Sequence, residues 1–163
     1  MTAAIDAAPF RGILSVAASS LRAGAPILRN PANRGRAVAL TFEEFRDSWA
    51  NNLSEAEAHT LYDTYHVPAS GAPLFQDVLA NLNPFTDAKV DVANPDRGPL
   101  LIISGEKGTT IPPAISEAAF AHQRKNPGVT EIAEIPGRGH SLTIDSGWPD
   151  VARTALDFIR RHL

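Results

Sequence analysis

The hydrophobic pattern of the last third of the chain alternates between strand-like and helix-like segments. Residues 99–104 form a continuous apolar run, which is typical of a central parallel strand covered on both faces. Residues 129–135 alternate between apolar and polar, as in a half-exposed edge strand. A helix is expected from Pro112 and Pro113 to about Lys125, because proline suits a first helical turn. The final helix shows one apolar stripe, formed by Val151, Ala155, Phe158 and Ile159.

The first ninety residues contain mainly helical signals. Ala3–Asp6 predicts a short buried strand, and the Pro- and Gly-rich stretch that follows predicts loop with one short helix around Ser15–Leu21. Two capping patterns, at Thr41–Glu44 and Ser54–Glu57, each begin a helix. A third helix is expected over Pro73–Leu82. The chain is thus predicted to be one domain over 1–163: a first strand in 1–9, loop and helices in 10–91, and a βαβα unit in 98–163.

Composition and charge narrow the class of protein. The chain has 163 residues, a net charge of −3 and no cysteine, and its Lys and Arg residues form no run interleaved with aromatics. These features argue against nucleic acid as a ligand and exclude disulfides and thiolate metal sites. No signal-peptide pattern precedes Phe10, and no run approaches about 18 apolar residues, so we predict a cytoplasmic protein without a membrane partner.

One histidine lies in an unusual setting. The sequence Pro136-Gly137-Arg138-Gly139-His140-Ser141 directly follows the second predicted strand. Its two glycines are expected to supply unusual backbone angles, and the ring of His140 can then project into a cleft. The alternative is that His140 hydrogen-bonds within its own turn.

Together with Gly98-Pro99-Leu100-Leu101-Ile102-Ile103-Ser104-Gly105-Glu106-Lys107, this turn resembles the C-terminal half of the α/β-hydrolase superfamily, whose members include esterases and lipases. The resemblance implies a partial α/β-hydrolase fold, with about three parallel strands, flanking helices and residues 10–91 as a helical lid. It makes His140 the general base. It also implies that the inner face of the lid, which is rich in aromatic side chains, lines an apolar pocket. From their spacing alone these aromatics are interpreted as packing residues, and some of them are expected to serve both in packing and in lining the pocket. They are Phe42, Phe45, Trp49, Tyr62, Tyr65, Phe75 and Phe85.

The chain departs from the family pattern at two of the three catalytic positions. The nucleophile elbow G-x-S-x-G is absent from these residues, which match about half of the family's domain. The loop that usually carries the acid has Gly108 in place of Asp. Asp6 is the candidate substitute, since some relatives place their acid at the end of that strand; otherwise Asp6 caps the following loop. Asp145 is expected to cap the final helix, and Glu106 to be solvated.

The predicted catalytic residues are therefore His140 and Asp6, with no metal or cofactor. The other histidines lack metal-binding spacing, and five serines (Ser15, Ser19, Ser20, Ser104 and Ser141) are interpreted as structural because none sits in an elbow. The leading hypothesis is an ester hydrolase whose serine comes from elsewhere. The alternative is a non-catalytic half-domain that pairs with itself or with a complementary chain through an exposed sheet edge, or binds a small apolar ester-like ligand.

Overall fold

The computed structural model describes residues 1–14 and 17–163. One strand precedes a largely helical insert, and the remaining strands and helices follow it. In chain order the elements are β1 (Thr2–Ile5), α1 (Ala18–Leu28), a 3₁₀ turn (Pro31–Gly35), β2 (Ala37–Val38), α2 (Phe42–Ser48), α3 (Glu55–Tyr65), β3 (Ala69–Ser70), α4 (Ala72–Leu79), β4 (Leu100–Gly105), α5 (Pro113–Gln123), β5 (Thr130–Ile135) and α6 (Trp148–His162).

The main sheet has the strand order β1-β4-β5, and all three strands run parallel. Every residue of β4 is buried, as its continuous apolar run predicts for a central strand. Leu101 and Ile103 pack with Val151 and Phe158 of α6 to form the main core. Helix α5 also packs against β4 and β5. The predicted fold class, three parallel strands with flanking helices, is confirmed.

The helical insert, residues 10–91, has a small core of its own around Phe45, Ala50, Ala58 and Leu61. Thr41 begins α2 with a complete capping box: its side chain accepts from the backbone N–H of Glu44, whose carboxylate accepts from the N–H of Thr41. Because helix ends leave unpaired N–H groups, this box fixes where α2 begins.

Two boundaries inside the insert differ from the sequence prediction. The helix predicted around Ser15–Leu21 is observed at Ala18–Leu28, with Pro26 inside it; Ser15 lies outside the described residues. Because proline in a sequence argues against helix, the prediction ended this helix too early and missed the second half of α1. Helix α4 ends at Leu79 and not at Leu82, which is 81% exposed. The short antiparallel pair β2–β3 was not predicted, because two residues per strand carry no recognisable period.

None of the helices among the described residues is long and apolar enough to span a membrane.

Candidate active site

Asp6 and His140 meet at the carboxyl end of the parallel sheet. Asp6 directly follows β1, and His140 lies in the loop after β5. One carboxylate oxygen of Asp6, Oδ2, is 2.9 Å from Nδ1 of His140. The other, Oδ1, accepts a hydrogen bond of 3.1 Å from the backbone N–H of Gly105, at the end of the central strand. The carboxylate therefore links the ends of all three strands.

The pair is largely removed from solvent. The side chains of Asp6 and His140 are 3% and 10% exposed. The backbone N–H of Asp6 still donates to Ile103 at 2.8 Å, but φ of Asp6 is +42°, in the left-handed region. Aspartate adopts this region more readily than most residues, so β1 can end in a sharp turn that directs the carboxylate across β4.

Gly108 has no room for the acid that the family pattern places there. A Cβ on this glycine would lie 2.6 Å from the backbone oxygen of Ile111. The adjacent hydroxyls do not replace it: Thr109 donates to the carbonyl of Asp47, and Thr110 to that of Ser48. The described carboxylate bonded to His140 is thus that of Asp6.

Residues 47–52 connect the loop after β4 to the loop after β5, and in this segment only Trp49 was a candidate from the sequence. Asn51 donates to the carbonyl of Lys107 at 2.9 Å, and Asn52 donates to that of Gly137 at 2.8 Å. The Trp49 ring lies 4.6 Å from the His140 ring, centre to centre, with the two planes 52° apart. The one sequence signal was two adjacent asparagines between a helix and the next cap, Ser54, since side-chain amides readily bond loop carbonyls.

The histidine turn is also held by the residue that follows β4, Glu106. Gly137 has φ of +69°, but Gly139 is not in the left-handed region, so the prediction of two unusual glycines is correct for the first alone. Glu106 was expected to be solvated. It is exposed, and in addition its Oε2 accepts a hydrogen bond from the N–H of Gly137 at 2.6 Å. That hydrogen bond, with help from Lys107, lowers the pKa of Glu106 below its ordinary value.

Asp145 forms no hydrogen bond or ion pair with His140. Its fully buried carboxylate pairs with Arg138 and accepts from the N–H of Gly147, which immediately precedes α6. The expectation that Asp145 caps the final helix is wrong: Gly147 is the cap residue and has no side-chain capping bond, and Asp145 instead closes the turn before α6.

The candidate serines show no catalytic contact among the described residues. Ser141 donates to the carbonyl of Trp49, and Ser104 is buried in β4. Ser15 lies outside the described residues. Within 1–14 and 17–163, no hydroxyl is hydrogen-bonded to His140.

A cavity of about 400 Å³ opens beside the pair and extends under the helical insert. Asp6, His140 and Trp49 line it at the sheet end, and most of the remaining wall is apolar. Of the seven aromatics of the insert, Trp49 lines the cavity, whereas Phe42, Phe45 and Tyr62 pack in the core of the insert. Further lining residues are Phe10, Ile13, Ile27, Leu74, Ile111 and Ile115.

No protein-family model matches the chain, and no curated protein matches it in sequence. Solved structures do match it. The monoacylglycerol lipase of Paleococcus ferrophilus is 15% identical with a TM-score of 0.54, and the match covers 99% of this chain and 58% of that one. The thermophilic esterase of Thermogutta terrifontis is 15% identical with a TM-score of 0.58, covering 99% and 56%. The 2-hydroxy-6-oxo-6-phenylhexa-2,4-dienoate hydrolase of Rhodococcus sp. strain RHA1 is 13% identical with a TM-score of 0.57, covering 97% and 54%.

These likenesses establish the fold: the chain has part of the α/β-hydrolase fold. It spans 54 to 58% of the length of these structures. At such low sequence identity the structural similarity does not show an activity, so any activity must be argued from the residues of the site.

Proposed function

We propose that this chain supplies the general base, His140, and its orienting acid, Asp6, to an ester hydrolase site. The observation that carries the proposal is the 2.9 Å contact between His140 Nδ1 and Asp6 Oδ2 at the carboxyl end of the sheet. A carboxylate can only accept a hydrogen bond, so this contact places the ring proton on Nδ1. Nε2 is then unprotonated and can act as a base.

In the reaction, Nε2 of His140 removes the proton of a serine hydroxyl as the serine oxygen attacks the ester carbonyl. Asp6 stabilises the imidazolium that results. The same proton then passes from Nε2 to the departing alcohol, leaving an acyl-serine, and a water molecule activated by His140 releases the acid. The serine is proposed to come from outside the residues that line this site, either from another segment of polypeptide or from a second chain.

The cavity supports an ester with an apolar acyl or alcohol group. Its volume of about 400 Å³ is within the usual range for small-molecule pockets. The His140–Asp6 pair lies in its wall, so a ligand that fills the apolar part can place a carbonyl group beside Nε2. Trp49, packed against the His140 ring, shields the pair from water on one side.

The test is hydrolysis of p-nitrophenyl butyrate by the purified chain, together with labelling by a serine-directed fluorophosphonate. The chain alone should show neither turnover nor label. After a complementary polypeptide that carries a G-x-S-x-G serine is added, we expect turnover that His140→Ala abolishes and Asp6→Asn strongly reduces. His59→Ala is the matched control, because His59 is exposed on α3 and stacks on Phe42 away from the cavity. Turnover that is equal in His140→Ala and in the parent would exclude His140 from the mechanism.

The second candidate function is non-catalytic binding or association. Two observations favour it: no described hydroxyl is bonded to His140, and β1 has an unpaired edge within the described residues. An unpaired edge can accept a further strand, whether from the same polypeptide, from a complementary chain or from a second copy. Pairing of two copies predicts a homodimer by light scattering at micromolar concentration. A stable monomer without esterase turnover would leave ligand binding in the cavity as the remaining candidate.

A further inference from the structure

Two polar side chains in the wall of the cavity lack a hydrogen-bond partner among the described residues. Asp77 lies on α4 and is half-buried, and this burial raises the pKa of its carboxyl above the ordinary value. Ser20 lies on α1, and its hydroxyl oxygen is buried without a partner. Both belong to the helical insert, away from the sheet end that holds His140.

The other polar side chains in this wall have hydrogen-bond partners. Asn81 accepts from the N–H of Gly12 at 2.7 Å and donates to the carbonyl of Ile13 at 2.9 Å. Ser48 and Thr110 each donate to a backbone carbonyl. The cavity therefore presents its unsatisfied polar atoms on α1 and α4, apart from the hydrogen-bonded pair at the sheet end.

The two helices are held close together at this place. A Cβ on Gly24 of α1 would lie 3.3 Å from a methyl group of Leu74 on α4, so the side chain of Leu74 packs against the helix surface at Gly24. A partly buried carboxyl without a protein partner loses part of its hydration, and this loss reduces the stability of the folded chain. Groups that reduce stability in this way are commonly retained for binding.

We propose that Asp77, assisted by Ser20, recognises a hydroxyl or amino group carried by an otherwise apolar ligand. The inference deepens the proposed function and rests on it for the reaction, since it names the substrate class as esters whose apolar part bears a hydrogen-bond donor. Binding in the cavity can be measured without turnover, so the two proposals can fail separately.

The probes are 1-octanol and its isomer methyl heptyl ether, which have the same atoms but differ in having a donor. Binding is followed by the fluorescence of Trp49 in a Trp148→Phe background, where Trp49 is the one tryptophan left in the sequence. We expect octanol to bind on the order of tenfold more tightly than the ether, as a hydrogen bond to a carboxyl group predicts. Asp77→Leu should abolish the difference, and Asp77→Asn should retain part of it.

The matched control is Asp63→Leu, which removes an exposed aspartate of α3 outside the cavity wall and should leave the preference unchanged. Asp77→Leu should also raise the midpoint of thermal unfolding, which shows that the variant is folded. Equal affinities for the two probes in the parent chain, no binding of either, or an undiminished preference in Asp77→Leu would each overturn the inference. An intact octanol preference without hydrolysis, even when a serine-bearing complementary polypeptide is present, would overturn the proposed function alone.

Discussion

The role of Asp6 can be tested by comparing two substitutions that remove different parts of it. Asp6→Ala removes both carboxylate contacts and places alanine at a φ of +42°. Asp6→Asn retains an oxygen that can accept from the N–H of Gly105 and a residue type that tolerates the left-handed region. The two variants should therefore differ in stability, although both lose the negative charge.

The magnitudes follow from the contacts. The N–H of Gly105 is buried, and leaving it unpaired costs about 1–3 kcal/mol. Left-handed backbone adds about 1 kcal/mol for alanine relative to residues that tolerate it. We expect Asp6→Ala to lose roughly 2–4 kcal/mol of unfolding free energy and Asp6→Asn to lose less than about 1 kcal/mol.

Urea unfolding followed by circular dichroism measures both values, and Asp63→Ala on the exposed face of α3 provides the control. The slope of the transition should be the same in all variants. Equal stability of the parent and Asp6→Ala would refute the structural role given to the carboxylate. An Asp6→Asn variant as unstable as Asp6→Ala would refute the argument that shape and backbone angle dominate over charge.

Three further substitutions test other parts of the structure. Gly108→Asp should lose at least about 1 kcal/mol of stability, because its Cβ would press on the Ile111 carbonyl; a urea midpoint equal to that of the parent would contradict this. The hydrogen bond from His162 lowers the pKa of Glu131 in the folded chain. The ionised carboxylate therefore stabilises the fold above the unfolded pKa of glutamate, and this stabilisation is lost as the pH falls through the lowered folded pKa. Glu131→Gln should therefore lower the melting temperature more at neutral than at acidic pH, and an equal loss at both would count against the pairing. Burial raises the pKa of Asp77, so the ionised carboxylate lowers the stability of the fold increasingly as the pH rises through that pKa. Asp77→Asn should therefore stabilise the chain more at neutral than at acidic pH, and melting temperatures whose change is independent of pH would disprove this.

The sequence was sufficient to predict the parallel sheet and to place Asp6 and His140 at the same edge of it. The apolar run at 99–104 and the histidine turn are local patterns, and parallel strands bring their carboxyl ends to one edge. That geometry is enough to bring a residue after β1 near a residue after β5, as the Asp6–His140 contact shows.

The rest of the site depends on contacts between segments far apart in the chain. Asn52 reaches Gly137 across 85 positions, and no local period indicates such a bond. The position of Trp49 beside His140 depends on where α2 docks, and its spacing with Phe45 indicated only helical packing. For Gly108 the sequence indicates only that the usual acid is missing, whereas the structure shows that the loop has no space for a side chain at this position.

The most direct test of the account is the tautomer of His140, observed by histidine nitrogen NMR at a pH where the ring is neutral. If Asp6 orients His140 as a base, the proton resides on Nδ1 in the parent chain and Nε2 is unprotonated. In Asp6→Asn the side-chain amide can donate to Nδ1, so the proton should move to Nε2, while Glu106→Gln should leave the tautomer unchanged. A proton on Nε2 in the parent chain, or a tautomer that does not respond to Asp6→Asn, would contradict the central claim.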